Sequence, residues 1–139
     1  MTDPELFDSL PYLLAQAHRQ VHGALDRVLQ EQNLPVEQWR ILTLLADGRG
    51  RSMGELSRQV LMNLPATSKT IDRMVSRAMV HRKQDPEDSR RILVFITDFG
   101  IELVGRCHAD VDALERSLAL KLGGPRTDRL CRLLKSLAD

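Results

Sequence analysis

Residues 80–97, VHRKQDPEDSRRILVFIT, set two strand-like runs on either side of a charged loop that contains Pro86. The second run is apolar and β-branched over residues 92–97, so it can pair with residues 80–84 across the loop. A helical segment ends just before this stretch, near Arg77, and another starts just after it, at Thr97 or Asp98. Helix, hairpin, helix is the layout of a winged helix-turn-helix, in which a helix and an adjacent loop address neighbouring grooves of a duplex. The hairpin carries Arg82, Lys83, Arg90 and Arg91. The expectation is a mainly α chain with a small antiparallel β-hairpin that binds double-stranded DNA.

The remaining segments read as helices around that unit. Apolar residues recur at three and four from Leu10 to Leu29 (Leu10, Leu13, Leu14, Ala17, Val21, Ala24, Leu25, Val28), predicting a long first helix that Asn33, Leu34 and Pro35 interrupt. A second helix follows to about Ala46, and the Gly-containing loop at 47–51 ends it. Ser52 and Glu55 have the spacing of a capping box and open a short helix ending near Val60. In the next helix Leu64, Thr67, Ile71, Met74 and Ala78 form an apolar stripe. Its opposite face, Pro65, Ala66, Ser68, Lys69, Asp72, Arg73 and Ser76, is small near the N-terminus and basic further on, which suits entry into a groove. After the hairpin, Ile101, Val104, Val111, Leu114, Leu118 and Leu122 predict one side of a long helix. Gly123, Gly124 and Pro125 break it, and a last helix over 127–138 carries Leu130, Leu133, Leu134 and Leu137.

Those terminal stripes are longer than a three-helix lobe with a hairpin can cover. Burial stabilises by roughly 25 cal/mol per Å² of apolar surface, so a symmetric dimer built from both chain ends is expected, the alternative being that the two ends pack only on each other within one chain. The division is then 1–34 and 99–139 for dimerisation and 35–98 for DNA binding. Charge points the same way. Residues 1–48 carry three Arg against seven acidic groups, whereas residues 49–84 carry eight basic against two acidic, a block that attracts a polyanion.

Cys107 and Cys131 form no CxxC and no Cys/His cluster, so no metal site, cofactor or disulfide framework is expected. The N-terminus lacks a signal-peptide pattern and no long apolar run occurs, which predicts a cytoplasmic protein without membrane association. GxSxG, HExxH and phosphate-binding glycine loops are absent from the sequence, and no enzyme is expected.

Three stretches together resemble the MarR family of bacterial transcriptional regulators. They are Gln38-Trp39-Arg40-Ile41-Leu42, then Ile71-Asp72-Arg73-Met74 leading to Val80-His81-Arg82, and residues 85–91 (DPEDSRR) followed by Ile96, Thr97 and Gly100. The resemblance covers roughly residues 34–100. It implies a homodimer whose N- and C-terminal helices interlock, with two winged lobes on a pseudo-palindromic operator, and an output that is repression relieved by a small ligand. Carried onto this sequence, it implies that Pro65, Ala66, Ser68, Lys69 and Arg73 meet the major groove or nearby phosphates. On the wing, Arg90 is implied in the minor groove with Asp88 orienting it, and Arg91 adds to the basic wing surface. Arg49, Arg51 and Ser52 are candidate phosphate contacts.

Two positions depart from the family pattern. Ala78 stands where Gly is usual, so a left-handed cap there is expected to be absent or strained, and Pro35 replaces a Ser or Thr cap. The resemblance also implies a cleft for small aromatic or carboxylated compounds between the dimer helices and the DNA-binding lobe, where His18, Arg19, His22, Trp39 and Arg40 are candidates. Each cysteine is expected to be a small buried apolar group, which disfavours redox sensing. The rival reading is a winged-helix protein-interaction module without DNA binding, for which an acidic or apolar face on the 64–76 helix is expected.

Overall fold

The computed structural model describes residues 3–138, with side chains from residue 5 onward. Seven helices and three short strands follow in the order α1 (Asp3–Phe7), α2 (Leu10–Gln30), α3 (Val36–Leu45), β1 (Arg51–Ser52), α4 (Met53–Gln59), α5 (Leu64–Ser76), β2 (Val80–Gln84), β3 (Ile92–Ile96), α6 (Asp98–Leu122) and α7 (Gly124–Ser136). The expected mainly α winged helix-turn-helix is present. The hairpin pairs Val80 with Ile96 and Gln84 with Ile92, and β1 adds to the other edge of β3, so the sheet has three strands in the order β1-β3-β2. Two-residue β1 was not anticipated. It forms because Gly50 has no Cβ, and the Phe95 ring occupies the space a Cβ would need.

The lobe closes over one core. Leu29, Ile41, Leu42, Leu45, Leu56, Ile71 and Met74 are all fully buried, and Val94 from β3 and Leu103 from α6 join them. On α5 the buried set is Thr67, Thr70, Ile71 and Met74, while Leu64 and Ala78, the expected ends of the stripe, are exposed. The α6 stripe holds at Val104, Val111, Leu114 and Leu118, which are buried or half-buried, and is corrected at its ends. Gly100, Leu103, Cys107 and Val111 face inward, and Ile101 is exposed. Ile101 and Leu103 both fit the helical period at the start of the stripe, and Thr97 decides between them. It caps α6 by accepting from the Gly100 N–H at 3.0 Å, and its own N–H donates to the Met79 carbonyl at 3.1 Å. That bond draws the Met79 carbonyl against Gly100, where any Cβ would collide with it.

The left-handed cap of α5 is formed despite Ala78, which holds φ at 60°. The Ala78 N–H donates to the Val75 carbonyl and the Met79 N–H to the Met74 carbonyl, a Schellman arrangement that normally takes Gly. Pro35 begins α3 without a side-chain cap bond, as its lack of a polar side chain requires. At the far end Gly123 turns the chain with φ 93°, and α7 starts at once at Gly124, three residues before the expected Thr127. Pro125 sits in its first turn, where a missing N–H costs nothing.

The chain ends look different. α2 buries only Leu29 in 21 residues and α7 buries none of its residues. Phe7, Leu10, Leu13, Leu120, Leu133 and Leu137 are among the large apolar side chains left exposed. None of the described helices is long and apolar enough to cross a membrane.

Candidate nucleic-acid interface and ligand cleft

Helix α5 is set on α4 by a buried polar contact. The Ser57 hydroxyl donates to Thr67 Oγ1 at 3.0 Å, and the Thr67 hydroxyl donates to the Asn63 carbonyl at 2.8 Å. Asn63 then caps α5 by accepting from the Ala66 N–H at 2.8 Å. The helical stripe places Thr67 inward, as found, but Ser57 carries no burial signal of its own, so the pair itself was not foreseen. With Thr67 turned inward, Pro65, Ser68, Lys69 and Arg73 are exposed, and Ala66 is half-buried. Neither Lys69 nor Arg73 is in any of the described ion pairs. Asp72 on the same face pairs with Arg82 of β2, tying the hairpin to α5.

The wing loop is bonded mainly to itself. The Asp85 N–H donates to the Arg91 carbonyl at 2.8 Å, the Arg91 N–H to the Asp88 carbonyl at 2.9 Å, and Gln84 Nε2 to the Ser89 carbonyl at 2.6 Å. Asp88 Oδ1 accepts from both the backbone N–H and Nε of Arg90, at 3.1 and 3.4 Å. The Arg90 side chain is 91% exposed. Arg91 behaves differently: its guanidinium turns back to Glu55 of α4 and lies 4.0 Å from Asp85.

The phosphate candidates also divide. The Arg49 side chain is 82% exposed and touches Asp47 at 3.2 Å. Arg51 is only 14% exposed, donating to both Asp47 oxygens and to the Arg49 carbonyl. The Arg51 hydrogen bond, with the Arg49 backbone N–H, holds the Asp47 carboxyl far below the usual carboxylate range. Arg51 therefore orders the loop before α4. Ser52 caps α4, accepting from the Glu55 N–H at 3.2 Å and donating to Glu55 Oε1 at 3.0 Å, as the capping-box spacing predicts. Burial alone would raise the Glu55 carboxyl, but the Ser52 hydrogen bonds and the Arg91 charge hold it below its ordinary value.

A cleft of about 340 Å³ lies between α2, α3 and α7. Leu14, Val21, Leu25, Leu130 and Leu134 form its apolar wall, and His18, His22 and Arg40 bring polar groups to it. The two imidazole rings are 5.1 Å apart, and His22 Nδ1 is buried with no hydrogen-bond partner. Arg19 lines a separate surface depression with Tyr12 and Gln16, and Trp39 packs on the core. The structure thus gathers three of the five candidate ligand residues and separates two. The contribution of α7 was not foreseen, because its leucines meet α2 only through the turn at Gly123.

At the C-terminus of α5, Arg77 donates to the Asn33 carbonyl at 3.0 Å and to the Oε1 of buried Gln38 at 3.4 Å. It links α5 to the junction of α2 and α3. Cys107 is buried as expected, and burial raises its thiol pKa, but Cys131 is exposed on α7, contrary to expectation.

The sequence profile of the MarR family matches residues 32–91. Among curated proteins, the HTH-type transcriptional repressor IacR of Pseudomonas putida is 28% identical over 124 residues, covering 89% of this chain and 74% of the relative. The structure of the transcriptional repressor CouR bound to a 23-mer DNA duplex superposes with a TM-score of 0.92 at 25% identity, covering 100% of this chain and 99% of that one. NadR in complex with 4-hydroxyphenylacetate superposes with a TM-score of 0.81 at 26% identity, covering 94% and 93%.

Proposed function

The chain belongs to the MarR family of transcriptional regulators, and from that premise we propose that it is a homodimeric, sequence-specific DNA-binding repressor released from its operator by a small aromatic or carboxylated ligand. Residues 35–98 form the DNA-binding unit in this reading, and segments 1–34 and 99–139 form the dimer. The observation that carries it is the exposed surface of the lobe. Pro65, Ser68, Lys69 and Arg73 stand outward on α5, and Arg90 projects from a self-bonded wing with Asp88 aiming its guanidinium. In major-groove readout Ser68 and Lys69 supply specificity, Ala66 offers little bulk, and Arg90 gains from the negative potential of a narrow minor groove. Arg49 and the Ser52 end of α4 add phosphate affinity, while Arg51 acts through loop order.

The superposable relatives support both halves of the reading, one carrying a DNA duplex and the other 4-hydroxyphenylacetate. In this chain the cleft under α7 is large enough for a single-ring acid. Arg40 is the anion partner, and the unpartnered His22 Nδ1 gains a hydrogen bond from or to the bound ligand. Release then follows if the ligand favours a different angle between α2 and α3. Arg77 transmits that change, because it joins the same junction to α5.

A cytoplasmic regulator without catalytic activity or metal fits this scheme. An interaction module would show an acidic or apolar α5 face, and Lys69 and Arg73 argue against it. The test is selection of genomic fragments by the purified protein, followed by a panel of aromatic acids. Recovery of a pseudo-palindrome whose binding falls steeply with salt, and whose release by an acid is lost in Arg40→Ala, is expected. Recovery of no fragment above background at low salt would refute the reading.

A further inference from the structure

Arg90 and Arg91 are adjacent, equally charged and both on the wing, yet the structure uses them in opposite ways. Arg90 extends into solvent, whereas Arg91 reaches Glu55 on α4. Glu55 is itself fixed: its backbone N–H and its Oε1 are both bonded to the Ser52 hydroxyl at the start of α4. The inner end of the hairpin is held by β1, which pairs with Leu93 and Val94 of β3. Beyond that pairing, the bonds of the loop run among residues 84–91 themselves. Among the described residues, Arg91 to Glu55 is the one side-chain bond that ties the outer wing to another element.

We infer that Arg91 is a positioning residue for DNA binding: clamped by Glu55 to the capped end of α4, it fixes the angle at which the wing presents Arg90 to the duplex. This rests on the DNA-binding reading above and deepens it. The clamp joins the wing to the same helix end that offers Ser52 to a phosphate, so the minor-groove and backbone contacts are set by one rigid unit. A wing that swings freely must lose that freedom on binding, which weakens affinity without removing any contact.

Substitution of Glu55 distinguishes the two roles by sign. If Arg91 were a phosphate contact, Glu55→Gln would release it and remove a nearby acid, and operator affinity would rise. With the clamp, Glu55→Gln lowers affinity by about fivefold or more, and a Glu55→Gln, Arg91→Ala double variant binds no worse than Arg91→Ala alone. Gln keeps the capping-box geometry with Ser52, so the variant folds, which a thermal melt confirms. Backbone ¹⁵N relaxation of residues 85–91 in the DNA-free protein gives the independent readout: order parameters fall in Glu55→Gln and stay high in Arg90→Ala. Unchanged wing order in free Glu55→Gln, or tighter operator binding by it, overturns the clamp alone. A wild-type protein with no affinity for any selected fragment overturns the functional reading instead.

Discussion

The lobe spanning α3 to β3 and the two chain ends are built from the same aliphatic residues, but they dispose of them differently. In the lobe Leu42, Leu56, Ile71 and Met74 are fully buried, and the surface left over is polar and basic. In α7 no residue is buried, and Leu133 and Leu137 remain exposed. An apolar groove of about 490 Å³ runs between α2, α6 and α7, lined by Val21, Ala24, Leu114, Leu118 and Leu130. The lobe thus closes its core within one chain, whereas the ends leave apolar surface uncovered, as the proposed dimer requires. On the proposed function, the stability of the ends then depends on concentration and that of the lobe core does not.

The largest effect that sharpens this contrast is in the lobe core. Leu42→Ala should cost about 2–5 kcal/mol in urea unfolding, because it opens a cavity in a fully packed site. Next comes the far end of the chain. Leu133→Arg should raise the dimer dissociation constant by about a hundredfold in sedimentation equilibrium while the lobe stays folded, since it puts a charge on the apolar surface that the proposed dimer buries. Should it instead unfold the protein without changing the dimer constant, the contrast between the regions would break.

Arg90→Ala comes third, lowering operator affinity by about tenfold or more in fluorescence anisotropy with an unchanged melting temperature. Fourth, Ala78→Gly should stabilise the lobe by roughly 0.5–1 kcal/mol, since Gly accepts the left-handed cap that Ala holds at a cost, and the dimer constant should not move.

The smallest effect concerns pH. The Arg51 hydrogen bond holds Asp47 well below its ordinary value of 3.8, so what this pairing adds to stability is present above that value and lost only as pH falls through the lower folded value. A thermal-melt difference between wild type and Asp47→Asn should therefore persist from neutrality to about pH 4 and shrink in stronger acid. No such shrinkage on acidification would mean that the Asp47–Arg51 ion pair contributes nothing.

Much of the lobe was legible because local signals agreed there. The pairing of the two hairpin strands followed from a β-branched run facing a Pro-containing loop, and the α4 cap from the Ser52 and Glu55 spacing. β1 was not legible, since two residues carry no period and the pairing depends on Gly50 lying under Phe95. The α6 stripe was misplaced only at its ends: Ile101 and Leu103 both fit a helical repeat, and the Thr97 bonds to Gly100 and Met79 choose between them. At the candidate site, the exposed α5 face and Arg90 could be read from type and position. Arg91, Arg51 and Trp39 could not, because pairing with Glu55, pairing with Asp47 and packing on the core are tertiary choices.

The central claim is that two folded lobes read DNA only when the chain ends join them. Sedimentation of a labelled selected fragment with wild-type protein and with Leu133→Arg tests it directly. Two chains per duplex for wild type, and loss of tight binding by a folded monomeric Leu133→Arg, is the predicted result. One chain per duplex, or undiminished affinity in the monomeric variant, would contradict it.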